Sequence, residues 1–417
     1  MKDPIVITGA GIVSAVGVGK AATLDALRSA RTGVGPVRYL QTAHTELPVG
    51  EVPLSDDQLK QRLAVTAEPT TRSALLGMTA LDEALVEASL GPSPSQTVAF
   101  VNGTTVGGMD KSEEYYLDFL ENDTRNAYIR THDCGANTEL IADRYGLFGQ
   151  CFTVSTACSS AANAIILGAN LLRSGQTQVA VAGGTECLTR FHLNGFNSLM
   201  IVDHGQCRPF DEQRAGLNLG EGAAYVVMEH LSSAHRRGAQ VLACLAGYGN
   251  ACDAFHQTAS SDNGEGAFLA MRKALAMARL QPADISYVNA HGTGTPNNDL
   301  SESHALQRLF GQSLPPVSST KGMTGHTTSA SGAVEAVICL LALLHQVVPV
   351  NVGWQHPMAD GIVPVMDTVP RHALLHAMCN SFGFGGNDSS LILSSLLAPR
   401  SSFLAPLLHN DSTPHLY

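Results

Sequence analysis

Short apolar runs alternate with longer stretches of helical period along this chain. Residues 5–8 read as a strand running into a turn at Gly9-Ala10-Gly11, residues 21–29 as a helix, and residues 71–89 as a long Ala/Leu-rich helix. A strand over 97–102 ends at Gly103-Thr104-Thr105, and a strand over 152–155 leads to a helix that runs to about Arg173. A strand over 178–182 ends at Gly183-Gly184-Thr185. The pattern then restarts, with a strand over 241–248, a helix over 266–278 and a strand over 285–289 ending at Ala290-His291-Gly292-Thr293-Gly294-Thr295. The alternation predicts an α/β fold whose buried strands are covered by helices on both faces. Val101-Asn102-Gly103 and Val288-Asn289-Ala290 each close a strand with the same dipeptide before a small polar turn, which points to two related halves. Residues 399–417 are rich in Pro, Ser and His without periodicity and read as an extension.

Composition narrows the picture. With 44% apolar and 15% charged residues, the chain can bury a large core and does not have the makeup of a disordered protein. A net charge of −11 with no offsetting basic cluster argues against nucleic-acid binding. No uncharged apolar run reaches about 18 residues, so no membrane span is expected; the longest stretch, 333–350, is interrupted by Glu335, His345 and Gln346. The N-terminus lacks the signature of a secretory leader. Nine scattered cysteines without a CxxC pair read as reduced thiols, which predicts a cytoplasmic location and no structural zinc.

Chemistry concentrates where strands end. Cys158 lies in Ser155-Thr156-Ala157-Cys158-Ser159-Ser160, at a strand-to-helix junction whose dipole should lower its pKa. The backbone N–H groups of such a junction can hold an oxyanion. His291 sits in Asn289-Ala290-His291-Gly292-Thr293, and His326 closes Lys321-Gly322-Met323-Thr324-Gly325-His326. A fourth turn, Asn380 to Asn387, is rich in glycine and carries Phe382 and Phe384. A soft nucleophile with two imidazoles suits thioester chemistry. Gly9-Ala10-Gly11 is no dinucleotide fingerprint, because Ser14 stands where the third glycine would be. The other cysteines (Cys151, Cys187, Cys244, Cys339 and Cys379 among them) read as small hydrophobes.

In these motifs, together with Gly183-Gly184-Thr185-Glu186, Arg208-Pro209-Phe210-Asp211 and Gly220-Glu221-Gly222-Ala223, the chain resembles β-ketoacyl-acyl carrier protein synthases of the KAS I/II type, from residue 5 to about 393. The resemblance implies a thiolase fold, two related βαβαβαββ halves in a five-layered α-β-α-β-α arrangement, divided here as 1–245, 246–398 and the extension 399–417. It implies that Cys158 takes the acyl chain from a thioester, while His291 and His326 promote decarboxylation of malonyl-carrier protein, giving 3-ketoacyl product and CO2. It further implies an oxyanion hole from the N–H groups of Cys158 and Phe384, with Lys321 and Glu335 orienting the His326 region. Thr293 and Thr295 fall where the phosphopantetheine arm is bound, and Val106, Phe196 and Phe382 fall along the acyl pocket. No cofactor or metal is implied. The partners implied are an acyl carrier protein and either a second copy or a chain-length-factor homologue.

Three readings compete. A chain-length factor lacks the nucleophilic cysteine, which is present here as Cys158; a thiolase carries a second cysteine where Gly383-Phe384-Gly385-Gly386 stands. Among synthases, a specialised polyketide or polyene (including aryl polyene) pathway is set against housekeeping fatty-acid elongation. Asn297-Asn298-Asp299 and Thr327-Thr328-Ser329 depart from the housekeeping pattern and favour the first.

Overall fold

The computed structural model describes residues 3–66, 69–93 and 96–398; the extension at 399–417 lies outside the described residues. The first half contributes β1 (Ile5–Ser14), β2 (Gly17–Val18), β3 (Val98–Gly103), β4 (Gln150–Val154), β5 (Val179–Glu186) and β6 (Gly222–His230). The second contributes β7 (Ala243–Cys252), β8 (Tyr287–Asn289), β9 (Val317–Ser318), β10 (His376–Gly383) and β11 (Asn387–Ser394). The strand order is β4-β3-β5-β6-β1-β7-β11-β10-β8-β9, with β2 a hairpin partner of β1. Read outward from the β1/β7 junction, both halves repeat one plan. Two antiparallel pairings (β1·β6, β6·β5; β7·β11, β11·β10) give way to two parallel ones (β5·β3, β3·β4; β10·β8, β8·β9). The two sheets touch edge to edge through the pairs Val6↔Cys244 and Ile7↔Ala243.

Helices Ser160–Arg173 and Ser331–His345 pack on each other and between the two sheets, while Arg72–Glu87 covers β1 and β6 and Glu265–Ala278 covers β7 and β11. The result is five layers, α-β-α-β-α. The central layer is built for burial on all sides: Ser331 through Leu343 are all buried, and Ala161, Ile165, Val337 and Leu340 share one core cluster with Ala182 and Val226 from one sheet and Ala377 and Leu391 from the other. The stretch Thr328–His345 has a mean hydropathy of 1.6, enough for a membrane span by composition, yet 89% of it is buried inside the protein. An all-round apolar helix is then a core helix.

Two expectations change. Gly9-Ala10-Gly11 is not a turn, because β1 runs through it to Ser14. A Cβ on Gly11 would lie 1.9 Å from the Ala80 carbonyl oxygen, so these glycines let helix Arg72–Glu87 seat against the strand. Gly183, within β5, serves close approach to the neighbouring strand β6, where a Cβ would meet Ala224 O at 2.0 Å. Glycine punctuates chains by its φ freedom, but it also marks close backbone approach, and periodicity does not separate the two. The division at 245/246 falls inside β7, which starts at Ala243; the connection between the halves lies just before it.

Candidate active site

Cys158 sits in a tight elbow between β4 and helix Ser160–Arg173. Ala157 adopts a left-handed φ of 54°, a conformation that costs a non-glycine residue about 1 kcal/mol or more. Neighbouring hydroxyls hold it there: Ser160 Oγ donates to Ala157 O at 2.6 Å, Ser159 Oγ donates to Thr156 O at 2.8 Å, and Thr156 N donates to Ser160 Oγ at 2.9 Å. The thiol is 6% exposed. Burial pushes its pKa up to about 11, against the pull of the Lys321 ammonium and of the Phe384 N–H directed at the sulfur. The direction is opposite to the lowering expected from the helix start, and burial is its largest cause. The resting group is a neutral thiol that needs a proton acceptor.

His326 supplies one, with Nε2 3.1 Å from Cys158 Sγ. Its ring is held below the ordinary imidazole pKa by burial and by Lys321, so it is neutral and able to accept. Its Nδ1 has no hydrogen-bond partner among the described residues. His291 stands at right angles to it, ring centroids 5.3 Å apart, and is likewise held neutral by burial and Lys321. The buried Lys321 ammonium reaches the Glu335 carboxylate, His291 O at 2.5 Å and His291 Nδ1 at 3.3 Å. An ammonium only donates, so His291 Nδ1 is the acceptor and the ring proton is on Nε2. Lys321 thus orients His291 directly, which the sequence had attached to the His326 region. Glu335 also accepts from Ser331 Oγ at 3.1 Å.

Two buried carboxylates behind the histidine loop escaped the sequence reading. Glu302 accepts from His291 N at 2.9 Å and Gly292 N at 2.8 Å, and its pKa is raised to about 7 by burial. Asp299 accepts from Phe210 N at 2.8 Å and Gly294 N at 3.1 Å. Both lie on helix Pro296–Phe310, so the acids are offset from the loop they hold; acidic residues eight and eleven places after His291, on the helix that follows the Gly-rich turn, are the signal that could have found them.

Of the remaining expected residues, Phe384 and Phe382 lie against this centre. Phe384 N–H faces the thiol, and a Cβ on Gly383 would come within 3.2 Å of Cys158 N, so glycine keeps that N–H approachable. Phe382 packs 5.8 Å from the His291 ring. Thr293 Oγ1 and Thr295 Oγ1 are 2.8 Å apart. The Phe384 ring stacks on Phe196 at 5.8 Å, and Val106 is buried next to Thr105. His256, in a segment that resembles one near the family's site, is instead exposed and caps the N–H groups of Thr258 and Ala259.

Cys158, His291 and His326 place their donor atoms within 4.8 Å of one another, a spacing a metal could use. The charge around them opposes it: a metal-ligating histidine is normally backed by an acceptor, whereas His291 is backed by the Lys321 ammonium. The set fits thioester chemistry better than a resident cation.

Comparison with known proteins agrees with this geometry. Residues 2–234 match the beta-ketoacyl synthase N-terminal domain and residues 242–355 the C-terminal domain. Nodulation protein E of Rhizobium meliloti (strain 1021) is 33% identical over 94% of this chain and 99% of its own length. The 3-oxoacyl-[acyl-carrier-protein] synthase 2 of Vibrio cholerae is 30% identical over 95% of this chain and 100% of its own. The solved ishigamide ketosynthase/chain length factor superposes with a TM-score of 0.87 at 29% identity, covering 95% of this chain and 100% of that one.

Proposed function

This chain belongs to the beta-ketoacyl synthase family, and from that premise we propose the following division of labour for a ketosynthase of the type II kind. Cys158 Sγ attacks the carbonyl carbon of an incoming acyl thioester. Its proton passes to His326 Nε2 and from there to the leaving phosphopantetheine thiolate. The developing oxyanion is held by the N–H groups of Cys158 and Phe384. In the second half-reaction the malonyl C–C bond breaks, CO2 leaves, and the electron pair forms an enolate. The enolate oxygen accepts from His291 Nε2–H, with His326 beside it. The enolate carbon then attacks the acyl-Cys158 carbonyl, the C–S bond breaks, and the released Cys158 thiolate takes up the one proton the overall reaction consumes, from solvent. Lys321 locks His291 in the donor tautomer, while His326, its Nδ1 unpartnered, can carry the proton on either nitrogen and so serve both halves. Thr293 and Thr295 hydroxyls would receive the pantetheine arm. No cofactor enters any of these steps.

The observation that carries this reading is the 3.1 Å approach of His326 Nε2 to the Cys158 thiol beside a His291 backed by Lys321. The test is His291→Ala. CO2 release from malonyl-carrier protein should fall at least about a hundredfold, while Cys158 still takes up an acyl group from acyl-carrier protein. Undiminished CO2 release would remove His291 from the reaction.

Acyl delivery calls for a discrete carrier protein, and the surface supports a dimer. Tyr116, Leu117, Leu120, Ile129, Phe191, Leu199 and Met200 are large, apolar and exposed, and their segments are tied together by Glu113, which accepts from Arg190 N and Phe191 N. The edge strand β4 is open to pairing. A chain-length-factor homologue is the partner proposed, as in the name of the ishigamide relative. Polar residues after His326, with Ser329 Oγ donating to the buried Glu186 carboxylate, favour a specialised polyketide or polyene pathway over saturated-chain elongation. The described cysteines are all free thiols, which suits the cytoplasmic location proposed.

A further inference from the structure

Glu186 ends β5, is fully buried, and ties two other segments to that strand. It accepts from Thr104 Oγ1 at 2.9 Å, Thr105 N at 3.0 Å, Thr105 Oγ1 at 2.7 Å and Ser329 Oγ. Thr105 precedes Val106, and Ser329 lies three residues after His326, so the carboxylate ties the pocket wall to the catalytic turn. Its Oε1 accepts one of these bonds and has room for another.

Facing that open position is His192. Its Nε2 lies 3.9 Å from Glu186 Oε1, too far for a direct hydrogen bond, and its ring makes no hydrogen bond among the described residues. It is 9% exposed. The imidazole is neutral, held low by burial. A chain of rings connects it to the nucleophile: the Phe384 N–H points at Cys158, the Phe384 ring stacks on Phe196 at 5.8 Å, and Phe196 meets His192 edge-on at 5.9 Å. A buried carboxylate and an unbonded imidazole therefore stand side by side at the wall where the acyl chain would lie.

We propose that His192 and Glu186 form a specificity site for a hydroxyl group on the acyl chain held by Cys158. Two atoms 3.9 Å apart can both be reached by one oxygen at about 2.8 Å from each. A hydroxyl at that apex accepts from His192 Nε2–H and donates to Glu186 Oε1. A carbonyl satisfies only the imidazole, and a methylene satisfies neither. The pair is a recognition device and does not touch the reacting atoms. The inference rests on the ketosynthase reading, since it needs an acyl chain on Cys158.

The test is a competition followed by intact mass. The protein is offered octanoyl-carrier protein against octanoyl chains each bearing one hydroxyl at a different carbon, and the initial rate of Cys158 acylation is measured. At least one hydroxylated chain should load about tenfold faster than the saturated one, the size of one hydrogen bond to a charged group. His192→Leu should erase that ratio. His192→Gln, which keeps an N–H donor, should retain most of it and guards against mere misfolding. Equal loading in the wild type, or a ratio unchanged in His192→Leu, would overturn the proposal while leaving the ketosynthase reading standing. No acylation by any chain would overturn both.

Discussion

At the residue scale, the character of Cys158 is set by what surrounds it. The motif and the helix start were visible in the sequence, and so was the identity of the nucleophile. The direction of its pKa shift was not, because it depends on a burial that only the packed elbow creates. With the thiol pushed up to about 11, the thiolate fraction near neutrality is small and grows tenfold per pH unit below the pKa. Alkylation of Cys158 by iodoacetamide, in the absence of acyl substrate, should therefore climb steadily from pH 7 to pH 10. A rate that levels off near pH 7 would mean the helix dipole prevails after all. The same limit explains why the direct contact of Lys321 with His291 went unseen: their 30-residue separation says nothing about distance in space. Glu186 was visible only as part of a motif, because its partners Thr105 and Ser329 lie 81 and 143 residues away, and nothing in the sequence placed His192 beside it.

At the element scale, hydrophobic periodicity placed six of the eleven strands and the main covering helices, while β6, β10, β11 and the helix Pro296–Phe310 went unforeseen because their runs are short or mixed with polar residues. Helix Ser160–Arg173 ends where it was expected, and Glu265–Ala278 begins one residue early. Among the elements that were placed, the misreadings were at glycines. The strand β1 was cut short at Gly9 because Gly-Ala-Gly reads as a turn, when its glycines serve the contact with helix Arg72–Glu87. Gly11→Ala places a methyl group against the Ala80 carbonyl oxygen, a backbone atom that cannot move without the helix. That overpacking should cost on the order of 3 kcal/mol, seen as a lower thermal midpoint than the wild type. An unchanged midpoint would show that the helix is not seated as described.

At the scale of the whole molecule, the repeated Val-Asn strand ends hinted at duplication, and the strand order of the two halves repeats one plan. The five-layered arrangement came from the family resemblance; periodicity alone could not supply the way two sheets sandwich a shared pair of helices, since that depends on contacts between residues hundreds of positions apart. Burial on this scale also shapes stability against pH. Asp388 and Glu302 are pushed up to about 8 and about 7, so the folded state holds protons that the unfolded chain has released, and stability falls as pH rises toward 8. His192, His291, His326 and His376 are shifted down, so the unfolded chain takes up protons first below about pH 6.5 and stability falls on that side as well. The urea midpoint should peak near pH 6.5. Raising the pH from 6.5 to 8 should cost roughly 2 kcal/mol, about 1.4 kcal/mol per unit for Asp388 alone. Asp388→Asn should flatten the alkaline side; an equally steep loss in that variant would place the titrating group elsewhere.

All three scales converge on one atom, the sulfur of Cys158. Intact-mass measurement after incubation with acyl-carrier protein tests it most directly. The wild type should gain the mass of one acyl group, and Cys158→Ala should gain none. Acylation of the alanine variant to the same extent would contradict the account at its centre.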